Sequence, residues 1–155
     1  MVKHVKGSIL DTDLDFIAHG VNCQGKMGSG VAKVLFTKYP EVRSDYLRFW
    51  NYSFPFVEQT SHFLGKVQPI TVDDCKVIFN CFTQEFFGYD GKKYGDYDAI
   101  RNCFLTIGES YGNIEVAIPK IGCGLAGLDW SIVENILEEV CKETGLMLTV
   151  YSLED

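Results

Sequence analysis

Two glycine-rich segments constrain this chain more than any other feature. Residues 23–30, Cys-Gln-Gly-Lys-Met-Gly-Ser-Gly, and residues 119–127, Pro-Lys-Ile-Gly-Cys-Gly-Leu-Ala-Gly, each follow a short apolar run and lead to a stretch with helical spacing. Residues 16–21 are nearly continuously apolar, which suits an interior strand covered on both faces. Residues 31–39 then place apolar side chains at 31, 34, 35 and 39, one face of a helix. Strand, glycine loop and helix form the unit of an open α/β sheet, in which ligands collect at the carboxyl ends of the strands. Both loops are therefore expected at one crevice.

Glycine lets backbone N–H groups turn toward an anion and removes the Cβ that would block a phosphate, while the following helix dipole adds favourable potential. Two such loops point to two linked phosphates. The same glycines also serve tight turns and close helix–sheet packing, and neither loop taken singly separates the two roles. Residues 25–30 lack the terminal Lys-Ser/Thr of a Walker A loop, and no G-x-G-x-x-G is followed by an acidic residue ~20 positions on. ATPase and nicotinamide-dehydrogenase chemistry are disfavoured.

The rest of the chain continues the alternation. A β-rich run opens residues 2–10, and Pro40 fits the first turn of a second helix over 41–50, with Val42, Tyr46, Leu47 and Trp50 on one face. Residues 51–64 show no period and read as loop. Residues 66–72 and 76–82 read as two strands joined at Asp73-Asp74, and 88–95 as a loop able to act as a lid. Asp96 is placed to cap a helix over 97–111, and Asp129 one over 130–143 that ends at Gly145. Strands at 114–118 and 146–151 complete the order β-β-α-α-β-β-α-β-α-β, which predicts a three-layer α/β/α sandwich with a mixed central sheet.

With 155 residues, one domain over 1–155 is the expectation. A net charge of −7 disfavours capture of nucleic acid or anionic lipid, but leaves room for a small anion held by local backbone donors. No apolar run approaches the ~18 residues of a membrane span, and the start carries no secretory h-region, so no membrane partner and a cytoplasmic location are expected. The cysteines at 23, 75, 81, 103, 123 and 141 form no C-x-x-C and none has metal-ligand spacing to His4, His19 or His62. They read as reduced thiols; no metal and no cofactor are expected, and turnover should be insensitive to a chelator.

Residues 21–32, Val-Asn-Cys-Gln-Gly-Lys-Met-Gly-Ser-Gly-Val-Ala, followed by Ile-Pro-Lys-Ile-Gly-Cys-Gly-Leu at 118–125 and the Asp129-Trp130 helix start, resemble the macrodomain family over essentially the whole chain. The branch most similar includes the small stand-alone ADP-ribose 1''-phosphate phosphatases and the terminal ADP-ribose protein glycohydrolases. The resemblance implies an ADP-ribose pocket. Asn22 would hold the distal ribose; Gly28, Ser29, Gly30 and Val31 the pyrophosphate and distal ribose; and Ile121, Gly122, Cys123, Gly124 and Leu125 the other side of the diphosphate. Ser8 and Ile9 would lie by the adenine, near Tyr151 and Leu153. Ser8 stands where many macrodomains have an adenine-binding Asp. Gln84 and Ala126 stand where the similar glycohydrolases have a catalytic Lys and Asp. Glutamine cannot form a Schiff base and alanine cannot transfer protons, which disfavours the lysine-dependent route. Lys92 and Lys93 fall in a different loop and read as solvated.

His19, three residues before Asn22, reads either as a catalytic or substrate-orienting group or as a buried, hydrogen-bonded strand histidine. Cys123 is a candidate thiol nucleophile only if a helix N-terminus lowers its pKa; the Cys-x5-Arg cradle is absent, since position 129 is Asp and no arginine follows Cys123. Phe82, Phe86, Phe87 and Tyr89 read as a cover for ribose or adenine, or as core. Three functions follow. The chain hydrolyses ADP-ribose 1''-phosphate with His19 and Asn22 as catalytic residues, or binds free or protein-linked ADP-ribose without chemistry, or releases ADP-ribose from a modified carboxylate or base by a substrate-assisted water attack that needs no lysine.

Overall fold

The structure, a computed structural model, describes residues 1–28, 30–53, 60–85, 95–123 and 126–153. Its elements are β1 (Val2–Lys6), β2 (Phe16–Asn22), α1 (Gly30–Lys38), α2 (Glu41–Ser53), β3 (Val67–Thr71), β4 (Val77–Gln84), α3 (Tyr97–Tyr111), β5 (Glu115–Ile118), α4 (Trp130–Thr144) and β6 (Met147–Ser152). The order matches the alternation read from the sequence. The sheet runs β1-β6-β5-β2-β4-β3, parallel throughout except for the antiparallel edge pair β3–β4.

Alternation along the strands sends residues to two cores. Ala18, Phe79, Cys81, Val116 and Ile118 pack against Ile100 and Phe104 of α3 and Val133 and Leu137 of α4. Ile17, Val21, Ile78 and Phe82 face the opposite layer, with Leu35 of α1 and Val42 and Tyr46 of α2. Strands buried on both faces must be apolar in consecutive positions, which is why β2 and β4 read as unbroken runs. Each fully buried Phe or Leu contributes ~1.5–3 kcal/mol.

The caps are as the sequence implies. Asp96 Oδ1 accepts from Ala99 N at 2.9 Å, Asp129 Oδ1 from Ser131 N at 2.8 Å, and Gly145 closes α4 in the left-handed region at φ 82. Residues 51–64 correct the loop reading in part. α2 runs on to Ser53, a 3-10 turn occupies Thr60–Phe63, and Phe63 is buried against the α2 layer. Phe63 and its half-buried neighbour Leu64 are adjacent in the chain and carry no period. The connection at Asp73-Asp74 is likewise a 3-10 turn, Asp73–Cys75. No helix among the described residues is long and apolar enough to cross a membrane, and all six cysteines are free thiols.

Candidate active site

Parallel order brings the carboxyl ends of β2, β4, β5 and β6 to one edge, where a cleft of about 1310 Å³ opens. One wall is the loop after β2 with the first turn of α1 (Asn22, Gly25, Lys26, Met27, Gly28, Gly30, Val31, Ala32); facing it is the loop after β5 (Pro119, Lys120, Ile121, Gly122, Cys123, Ala126). The two glycine loops thus meet across one crevice. The first-turn N–H groups of a helix have no intrahelical partners, so α1 offers donors at this mouth.

Asn22 builds the first loop. Its Oδ1 accepts from Gln24 N at 3.0 Å, from Lys26 N at 3.3 Å and from the Tyr46 hydroxyl at 3.0 Å, while its Nδ2 donates to Lys26 O at 2.6 Å. One buried amide therefore folds the chain back over four residues, leaving a single Nδ2 hydrogen for a ligand. From below, Trp50 Nε1 donates to Cys23 O at 2.9 Å, and Arg43 Nε donates to Met27 O at 3.1 Å. Gly25 adopts φ +71, and a Cβ there would meet the Trp50 ring at 2.8 Å. Gly25→Ala is expected to cost about 2 kcal/mol from left-handed backbone and ring displacement, lowering the thermal midpoint by roughly 4–8 °C in a chain this size. An unchanged melting curve would refute that account of the loop.

The second wall depends on a bulge. Pairing passes from Val21–Phe82 to Asn22–Gln84, so Thr83 is the extra residue on β4. Bulges re-aim side chains next to active sites; here Thr83 and Gln84 both line the cleft. At the far end, Gly7 N donates to Ser152 O at 2.8 Å, which sets Ser8 and Ile9 beside Tyr151, Ser152 and Leu153. Ser8 Oγ accepts from Leu10 N at 3.2 Å as the cap of the Ile9–Asp11 turn, so its acceptor is engaged with backbone.

His19 is buried. Its Nε2 meets Asn80 Oδ1 at 2.5 Å, and Asn80 is oriented because its Nδ2 donates to Val42 O at 3.1 Å and Gln68 Oε1 at 3.2 Å. That orientation makes Nε2 the protonated nitrogen and leaves Nδ1 a buried acceptor with no partner among the described residues. Desolvation by burial lowers the pKa from 6.5 to about 4, against the opposing Asn80 hydrogen bond. The ring is neutral at pH 7, which removes the proton-donor role and leaves an accepting or orienting one.

Cys123 lies half-buried on the cleft wall, and its thiol is pushed up to about 11 by burial and by the Asp129 carboxylate, with Lys120 opposing. α4 begins only at Trp130, so no helix N-terminus activates it, and the nucleophile reading falls. Asp129 is the α4 cap, its carboxyl held below the usual range by hydrogen bonds from Ser131. Ser29, Gly124 and Leu125, together with Phe86, Phe87, Tyr89, Lys92, Lys93 and most of the 88–95 lid, lie outside the described residues. Phe82 is core, stacked with Tyr46 and Phe63.

Sequence reading missed Lys26, Arg43, Thr83 and Tyr46 as parts of the site. Arg43 and Tyr46 reach it from α2, and nothing local announces that. Lys26, Arg43 and Lys120 are the charged residues among the described lining, and none of it is acidic. The cleft is cationic within a chain of net charge −7. Among the described residues, no group of three or more His, Cys, Asp or Glu gathers as a metal site.

A three-layer sandwich with paired glycine loops over one cationic cleft defines an α/β protein built to hold a small, multiply charged ligand. The Macro domain profile matches residues 18–137, and the chain belongs to the macrodomain family. It is 25% identical over 187 aligned positions to the ADP-ribose 1''-phosphate phosphatase of Debaryomyces hansenii, covering 99% of this chain and 100% of that one. Among solved structures it superposes with TM-score 0.82 on a Bacteroides thetaiotaomicron protein of unknown function, at 26% identity and 97% coverage of both chains. It also superposes with TM-score 0.76 on Thermosipho africanus DarTG in complex with ADP-ribose, at 19% identity over 99% of this chain and 42% of that one.

Proposed function

We propose that residues 1–155 act as one ADP-ribose-binding macrodomain that hydrolyses ADP-ribose 1''-phosphate to ADP-ribose and inorganic phosphate. The observation that carries this reading is the cleft: two glycine loops and a helix N-terminus converge on it, and among the described residues its charged lining is basic. Similarity to the Debaryomyces phosphatase along the full length of both chains, and the ADP-ribose held by the Thermosipho relative, support the ligand class. Six free thiols fit a reducing compartment, the cytoplasm.

The adenine lies at the Ser8, Ile9 and Leu153 end. The diphosphate lies between Gly28, Ser29, Gly30 and Val31 on one side and Ile121, Gly122, Cys123, Gly124 and Leu125 on the other. Backbone N–H groups need no protonation change to stabilise charge on phosphate oxygens, so their contribution is electrostatic preorganisation. Water attacks phosphorus in line, the bond to the anomeric oxygen breaks, and that oxygen keeps the electron pair and takes a proton released by the water. Asn22 orders the loop that aligns the phosphate, and neutral His19 serves as an acceptor orienting a ligand hydroxyl or the water. Incubation with ADP-ribose 1''-phosphate is expected to release inorganic phosphate, equally in the presence of a chelator. Absence of release at high protein concentration overturns the catalytic reading.

One observation favours a binding module for free or protein-linked ADP-ribose instead: no carboxylate lines the described cleft, and its histidine has a depressed pKa. Tight ADP-ribose binding in calorimetry with background phosphate release is the result that selects it.

A further inference from the structure

Arg43 lines two cavities at once. It belongs to the cleft, and also to a shallower groove of about 850 Å³ on the outer side of α1 and α2, where Phe36, Arg48 and Tyr52 surround it. Among the three cations of the cleft, Arg43 is anchored at both ends of its head group's surroundings: Nε donates to Met27 O at 3.1 Å, and the guanidinium carbon sits 5.6 Å from the Phe36 ring centroid. Those contacts engage one of its five donors and leave both terminal NH2 groups, and it has no acidic partner among the described residues. Arg48 differs: it lines only the outer groove and pairs with Asp45 at 3.4 Å.

The charge around Arg43 is also unlike that of the whole chain. Residues 16–53 carry five basic groups (Lys26, Lys33, Lys38, Arg43, Arg48) against two acids (Glu41, Asp45), a surplus of +3 in a chain of −7. An oriented fork in a locally positive field, with donors unspent, is suited to bidentate recognition of a phosphate. Arg43 is carried by α2, which packs on β3 and β4, whereas Ser8 and Leu153 follow β1 and β6 at the other side of the sheet order.

We propose that Arg43 is the specificity-determining anion site of the cleft, reading a phosphomonoester on the end of the ligand remote from the adenine. This rests on the proposal that the cleft holds ADP-ribose with its adenine at the β1/β6 end. The loop donors hold the diphosphate and are indifferent to what the distal ribose carries. Arg43 distinguishes a phosphate there from a hydroxyl, and acts by binding rather than by proton transfer, since a guanidinium stays charged.

The test is calorimetry with ADP-ribose and with a non-hydrolysable phosphonate analogue of ADP-ribose 1''-phosphate, on the wild type, Arg43→Gln, Arg43→Lys and Arg48→Gln. The wild type is expected to prefer the phosphonate by about 10–100-fold, the range of a charge-assisted hydrogen bond. Arg43→Gln is expected to abolish that preference, weakening the phosphonate at least about tenfold more than it weakens ADP-ribose, some of whose affinity goes with the lost Met27 contact; Arg43→Lys keeps part of the preference, and Arg48→Gln keeps all of it. The proposal is overturned if Arg43→Gln retains the preference, if it weakens both ligands in parallel, as a purely loop-supporting residue would, or if the wild type shows no preference. Failure of the wild type to bind ADP-ribose at all overturns the reading of the cleft itself.

Discussion

Between pH 6.5 and 4 the protein is expected to lose about 3 kcal/mol of folding stability through one side chain, His19. Burial holds its folded-state pKa at about 4, whereas the unfolded chain titrates near 6.5. Above 6.5 both states carry the neutral ring and the contribution is complete. As pH falls below 6.5 the unfolded state binds the proton first, so unfolding gains on folding until the folded ring also protonates near 4. Carboxylates titrate over part of the same window, so the measurement is comparative: denaturant unfolding of the wild type and His19→Gln from pH 7 to 4. The variant should show a shallower fall, and identical pH profiles would show that burial of His19 carries no such penalty. Activity follows the same logic. A ring already neutral at pH 7 gives no ionisation near 6.5 in the turnover profile.

Asn22→Ala is expected to abolish ADP-ribose binding by more than about 100-fold and to cost about 2–4 kcal/mol of stability. The side chain that disappears receives the N–H groups of Gln24 and Lys26 and the Tyr46 hydroxyl, and holds Lys26 O. Each buried group left without a partner costs ~1–3 kcal/mol, and Tyr46 retains its second acceptor, Asn22 O at 2.8 Å, which limits the total. The larger effect is on the ligand, because Gly28 and the α1 first turn keep their positions only while residues 22–26 are folded back. Asn22→Asp keeps the accepting oxygen but loses the donor to Lys26 O, and should fall between the two in both thermal midpoint and affinity. Wild-type affinity in Asn22→Ala would show that the loop holds its shape without the amide.

Asn22 was legible in the sequence through the family resemblance, as a holder of the distal ribose, and a short amide is a side chain able to bond its own backbone a few residues on. What it does there, organise the loop with both ends of its amide, needed the observed partners. His19 was ambiguous for a definite reason. A histidine in an apolar strand is consistent with catalysis or with burial, and the choice depends on Asn80, sixty-one residues away and adjacent only across the β2–β4 register. Cys123 was a candidate nucleophile only on the condition of a helix N-terminus at its sulfur, and distance along the chain to the next helix does not give the field there; burial and Asp129 raise its pKa.

By itself the sequence determined the element order, the caps at Asp96, Asp129 and Gly145, the pairing of two glycine loops and the family, because each depends on interactions within a few residues or on a side-chain period. Only the tertiary structure decided the charge and chemistry of the cleft. Arg43, Tyr46 and Trp50 are ordinary residues of an amphipathic helix until α2 packs over the sheet, and the bulge at Thr83 exists only in the pairing of β4 with β2. The net charge of −7 is a sum over the whole surface, whereas a ligand feels the few groups within a Debye length of its site. Which charges those are is fixed by long-range packing, and it makes the cleft of an acidic protein basic.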